Sequence, residues 1–105
     1  RSNFTGAVMR HVDARNTKFT SAIMVGVTLD GANLANADFT KADLSKADLS
    51  GANLRGARLY ETILRGADLS GATLDGADLY QTDFSNSLWV DGTTRCAEGS
   101  IGRCK

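Results

Sequence analysis

Between Ala32 and Leu79 every fifth residue is Leu or Phe: Leu34, Phe39, Leu44, Leu49, Leu54, Leu59, Leu64, Leu69, Leu74 and Leu79. Ala stands two residues before each of them, with Thr62 the only exception. In an α-helix each residue advances about 100°, so every fifth side chain lands about 140° around the axis and the leucines scatter. A plain strand fails as well, because its side chains alternate and five is odd.

One geometry satisfies the spacing. If the Leu or Phe is the centre of each unit, the centre and the residue two before it share parity and point inward, with the residue between them outward. A turn at the two positions after the centre then resets the parity. Gly occupies the second of those positions at 6, 26, 31, 51, 56, 66, 71 and 76, and Asn does so at 16, 36 and 86. These residues adopt positive φ most cheaply. A chain that turns every five residues bends continuously, so it coils, and successive coils stack about 4.8 Å apart through backbone hydrogen bonds.

The motif A-[DN]-L-x-x, running through AnlanADFtkADLskADLsgANLrg, resembles the pentapeptide repeat family. The resemblance implies an all-β fold, a right-handed quadrilateral β-helix with four pentapeptides to a coil, so that residues twenty apart stack. The frame runs from Phe4 to Trp89, which makes about four to five coils. The expected organisation is a repeat β-helix over 1–90 and a capping tail over 91–105. In the first stretch the centres are degraded to Phe4, Met9, Ala14, Phe19, Met24 and Leu29, with Val12 offsetting the small Ala14. An uncovered first coil presents unpaired strand edges, and the expectation there is a missing cap, a partner, self-association through the N-terminal end, or a fragment. Residue 1 is Arg, which leaves a removed leader and a fragment equally open.

The 105 residues contain no Pro and no long apolar run, so the sequence shows no transmembrane helix or secretory core segment. Twelve residues of each sign give zero net charge, which argues against a basic nucleic-acid footprint. Cys96 and Cys104 lie in the tail with seven residues between them, and an even count at a chain end reads as one disulfide. Free thiols or half of a metal site are the alternatives, although the one His, His11, is far away in sequence. A disulfide places the protein in the periplasm, the thylakoid lumen or outside the cell; free thiols place it in the cytoplasm. Trp89, Val90, Ile101 and the cystine are the expected lid over the last coil. The ending, W-x-D-G-T with paired cysteines, also resembles that of some exported pentapeptide proteins.

Asp is frequent, and Asp48 and Asp68, with Asp30 nearby, could form a cation column. Short polar side chains bonding turn backbone explain them more simply. No Ser-His-Asp or Cys-His arrangement is evident, so the expectation is no enzyme, no cofactor and no metal. Two outward features depart from the motif. Tyr60 and Tyr80 are twenty apart on one wall; Ile23, Val25 and Ile63 are apolar on another. They are the candidate partner surface, although stacked outward side chains also stabilise neighbouring coils. The expected function is therefore a non-enzymatic scaffold or protein-binding module with an unknown protein partner, no nucleic acid and no membrane insertion. The alternative that the resemblance carries is a gyrase-protecting DNA mimic, disfavoured by the zero net charge and short length.

Overall fold

The computed structural model describes residues 2–105, so residue 1 of the expected repeat domain lies outside the described residues. Backbone pairing joins residues twenty apart, all in parallel, in four columns. The first wall carries Asn3, Ile23, Asp43, Ile63 and Asp83, and the second Val8, Thr28, Asp48, Asp68 and Leu88. The third carries Asp13, Asn33, Asn53 and Thr73, and the fourth Lys18, Asp38, Arg58 and Asp78. Each wall contributes one paired residue per coil between turns, so among the described residues no conventional extended strand forms.

Every amide of a central pentapeptide has a visible destination. In the unit around Leu44, Asp43 N–H donates down to Ala22 C=O at 3.0 Å, while Leu44 and Lys46 N–H donate up to Ile63 and Arg65 C=O at 2.7 and 2.8 Å. Ala47 N–H closes the turn on Leu44 C=O at 3.0 Å. The remaining amide, that of Ser45, donates to the carboxylate of Asp43 at 3.0 Å, and the Ser45 hydroxyl donates to the same oxygen at 2.6 Å. The pattern recurs at Asp38, Asp48 and Asp68 with Thr40, Ser50 and Ser70. Asp before the centre and Ser or Thr after it thus complete the backbone's hydrogen bonding.

The left-handed position of the turn is occupied throughout, with φ between 54° and 71° in every unit from Gly6 to Asn86. It is held not only by Gly and Asn but by His11, Ser21, Lys41, Lys46, Glu61 and Gln81. A non-Gly residue there costs about 1–2 kcal/mol. Hydrogen bonds to the neighbouring coils override that local preference. At Gly31 and Gly56 an added Cβ would also meet the side chain one coil below, the His11 ring and the Asn36 amide oxygen, so those side chains would have to move aside.

The interior is the stack of centres and alanines. Leu34, Leu44, Leu49, Leu54, Leu59, Leu64 and Leu69 are fully buried, as are Ala37, Ala42, Ala57 and Ala67. Phe19 and Phe39 continue the stack with rings 5.0 Å apart and nearly parallel. Burial falls off at both ends. Phe4, Ala7, Met9, Val12 and Ala14 of the first coil, and Leu74 and Leu79 of the last, are only partly buried. Thr62 and Thr82 replace Ala beside the centre, and their hydroxyls donate to Phe39 and Leu59 C=O at 2.7 and 2.5 Å, so no buried hydroxyl is left unpaired there.

The tail from Val90 reverses direction and runs antiparallel over two of the walls. Leu88 pairs with Arg95 and Asp83 with Ile101. Trp89 N–H donates to Thr94 C=O, Asn86 N–H to Cys96 C=O and Phe84 N–H to Ser100 C=O, at 2.7–2.9 Å. Cys96 and Cys104 are joined in a disulfide, and Cys96 is buried.

Candidate functional site

The columns place the outward residues expected to matter. Tyr60 and Tyr80 stack with ring centroids 5.4 Å apart and planes 11° from parallel, and Tyr80 is 59% exposed. The charge on Glu61, first among several causes, holds the Tyr60 phenol above its ordinary pKa. Asp43 lies between Ile23 and Ile63 in the first wall, and the three line a shallow depression with Ser21, Ala22 and Lys41. Val25 lies beyond that depression, partly buried at the adjoining corner.

The carboxylates have structural partners. Asp48 and Asp68 are paired neighbours in the second wall, and each accepts the amide and hydroxyl of the Ser two residues on. Asp30 faces Arg10 at 3.2 Å. Hydrogen bonding by Thr40, the leading cause, holds Asp38 below the usual carboxylate range, with Arg58 and Lys18 adding to it.

At the tail, the Trp89 ring meets Phe84 edge-on at 5.1 Å, and Trp89, Val90 and Cys104 pack against the core. Ile101 pairs its backbone with Asp83 and is 43% exposed, and it is not among the residues packed against the core cluster. Arg65 reaches both Asp83 at 3.1 Å and Glu98 at 2.9 Å, tying tail to wall.

Sequence reasoning passed over one further surface. The tail covers the first and second walls of the final coil, but the third and fourth carry no pairing beyond Thr73 and Asp78. Among the described residues, the amides of Leu74, Gly76, Leu79 and Gln81 have no hydrogen-bond acceptor, whereas the equivalent amides one coil earlier donate to Thr73, Asp75, Asp78 and Tyr80 C=O. The local sequence gives no sign of this, because residues 72–81 obey the same motif as the paired coils.

The arrangement leaves three outward features: stacked aromatic rings, partly exposed aliphatic side chains and an unpaired main-chain edge. The chain matches the family described as Pentapeptide repeats in eight copies, over residues 1–34, 26–56 and 52–88, and it belongs to that family. Its fold is the right-handed β-helix of the solved members. It is similar to the pentapeptide repeat protein Rfr23 of the cyanobacterium Cyanothece 51142, at 29% identity and TM-score 0.78 over 81% of this chain and 57% of that one. It is similar to HetL of Nostoc sp. strain PCC 7120, a protein involved in heterocyst differentiation regulation, at 28% identity and TM-score 0.73 over 89% of this chain and 51% of that one. A pentapeptide repeat protein of the Arabidopsis thaliana thylakoid lumen, AT2G44920, matches at 28% identity and TM-score 0.51 over 82% of this chain and 63% of that one. The chain spans little more than half the length of the first two. No curated protein matches.

Proposed function

We propose that this chain is a non-enzymatic scaffold that binds a protein partner through outward residues of its walls, on the oxidising side of a membrane. The observation that carries the reading is the Tyr60–Tyr80 stack, Tyr80 exposed and Tyr60 half-buried, two large amphipathic rings held in register on the coil backbone. Such rings gain contact area at little cost in conformational freedom. Ile23, Ile63 and the neighbouring Val25 form the second surface of the same reading. The half-buried interior of the first coil belongs to it as well, as a place for self-association.

The division proposed is a repeat domain over 1–90 of between four and five coils, of which residues 2–90 are described, with 91–105 as its disulfide-closed cap. The cystine supports an exported setting, periplasmic or thylakoid-lumenal, and the lumenal Arabidopsis protein is a similar case. No helix among the described residues is long and apolar enough to cross a membrane. The fourth-wall column alternates in sign, Lys18, Asp38, Arg58, Asp78, and the extents of 29 × 26 × 23 Å are nearly equal. A short block of mixed charge is a poor imitation of a nucleic-acid duplex.

The test pairs capture with mutation. The disulfide-intact protein and a Tyr60→Ser, Tyr80→Ser variant are each immobilised and exposed to periplasmic or lumenal extract. A partner retained by the parent and lost by the folded variant supports the reading. Equal retention of every protein by both removes the tyrosines from it.

A further inference from the structure

We infer that the open fourth-wall edge of the final coil, Ala77–Gln81, takes an extended basic peptide as an added strand. The inference rests on the reading of the chain as a binding module, but apart from one face of Tyr80 it uses main-chain atoms, Asp75 and Asp78, so it can fail alone.

One coil earlier, Leu59 and Glu61 N–H donate up to Asp78 and Tyr80 C=O at 2.8 and 3.0 Å, and Ala57 C=O accepts Asp78 N–H at 2.9 Å. One coil higher the same three groups are Leu79 N–H, Gln81 N–H and Ala77 C=O, and none of them is paired upward. The tail does not take them up. Its last backbone hydrogen bond to this coil is Gly102 N–H on Thr82 C=O at 2.7 Å; Gly102 passes beside the Leu79 carbonyl without bonding it, and the chain then folds back, with Ala97 N–H on Lys105 C=O at 3.3 Å. Leu79 stays half-buried beneath this gap, leaving an apolar floor for one inward side chain. An edge with spaced donors and acceptor above an apolar floor is what strand addition uses.

Charge selects the occupant. The fourth-wall column reads Lys18, Asp38, Arg58, Asp78 from bottom to top, so each charge faces the opposite sign and only Asp78 has nothing above it. At the adjoining corner Asp75, stacked over Arg55, also ends its column. Both carboxylates are exposed, and neither has a cation within ion-pair distance among the described residues. A strand laid on this edge places its outward residues over Asp78 and beside the free face of Tyr80. Lys or Arg there continues the alternation and can rest on the ring. Acidic strands meet like charge and are rejected.

The probe is the blocked peptide acetyl-Thr-Val-Lys-Val-Arg-Thr-amide, with two controls. One has glutamate at both basic positions, and the other is N-methylated on alternate amides. Each is titrated into the isotope-labelled, disulfide-intact protein, with Leu79 and Gln81 amide shifts and hydrogen exchange as readout. The expected result is saturable shifts and about tenfold or greater slowing of exchange at Leu79 and Gln81 with the basic peptide. Binding of the acidic and methylated peptides should be about tenfold weaker or absent, as expected for a hydrogen-bonded edge steered by charge. Asp78→Lys, with Leu44 and Leu54 amides still protected as proof of folding, should reverse the preference toward the acidic peptide. The inference is overturned by silent Leu79 and Gln81 amides, or by equal affinity for both charges. It is also overturned if those amides are already protected in the free protein, whether by this chain or by a second copy. Shifts confined to Tyr60, Ile23 and Ile63 would overturn it while leaving the wall-binding function standing.

Discussion

The final coil has two halves built from the same five-residue rule and treated differently. Phe84, on the first wall, is fully buried, its amide bonded to Ser100 and its ring against Trp89. Leu79, on the fourth wall, is only partly buried and its amide has no partner among the described residues. Nothing local separates them, since both are centres preceded by Asp. What differs is the next layer: the tail passes over one half and turns back before the other. A repeat that positions its residues identically still leaves their energetic weight to whatever lies on top.

Substitutions at equivalent positions test that difference. Phe84→Ala should cost about 3–5 kcal/mol, because a filled and covered site becomes a cavity. Leu79→Ala should cost only about 1–2 kcal/mol, since part of that side chain already meets water. Leu59→Ala, directly beneath Leu79 but fully buried, should return to about 2–5 kcal/mol. Urea unfolding measures all three, and a Leu79 penalty equal to that at Leu59 would show the edge to be covered in solution.

The next effect concerns the cover itself. Replacing Cys96 and Cys104 with Ser should cost about 2–3 kcal/mol through the freed loop. Hydrogen exchange should quicken at Phe84 and Asn86, which donate to the tail, and stay slow at Leu44 and Leu54. Uniform acceleration through every coil would mean that the tail holds up the whole solenoid, not one half of its last turn.

A smaller effect sharpens the interior. Thr62→Val keeps the shape and removes the hydroxyl that donates to Phe39 C=O, a carbonyl that still accepts Ala42 N–H at 2.8 Å. The expected loss is about 0.5–1.5 kcal/mol by urea unfolding. The last is a matter of sign. Asp91, where the tail begins, is held down at about 2, first by the Thr94 hydroxyl and then by the Thr94 and Thr93 amides. Its folded value lies below its unfolded one of about 3.9, so its contribution is present above pH 4 and lost as pH falls through about 2. A carboxyl titration by NMR with its midpoint near 3.9 would remove this contact from the turn.

Much of this was legible in the residues. The inward set, the stacking of positions twenty apart and the pairing of Tyr60 over Tyr80 all follow from parity and a fixed period. The cystine followed from a count and a position. Two things were not legible. Lys41, Lys46, Glu61 and Gln81 adopt left-handed φ against their own preference, because amides in the adjoining coils require it. Ile101, apolar and placed in the tail, reads as lid packing, and in the structure it is 43% exposed while its backbone pairs with Asp83.

The sequence by itself determined the coil: a five-residue period admits only one inward set, and Asp or Asn before the centre completes the turn from within the same unit. The tertiary structure alone decided which edges of that coil remain open. That depends on where an aperiodic tail lies relative to residues far from it in sequence, and no local pattern encodes a non-local contact. Residues 83–88 therefore end up paired with the tail, with Phe84, Ser85 and Ser87 buried, while 73–81 present free amides and two carboxylates without an ion-pair partner.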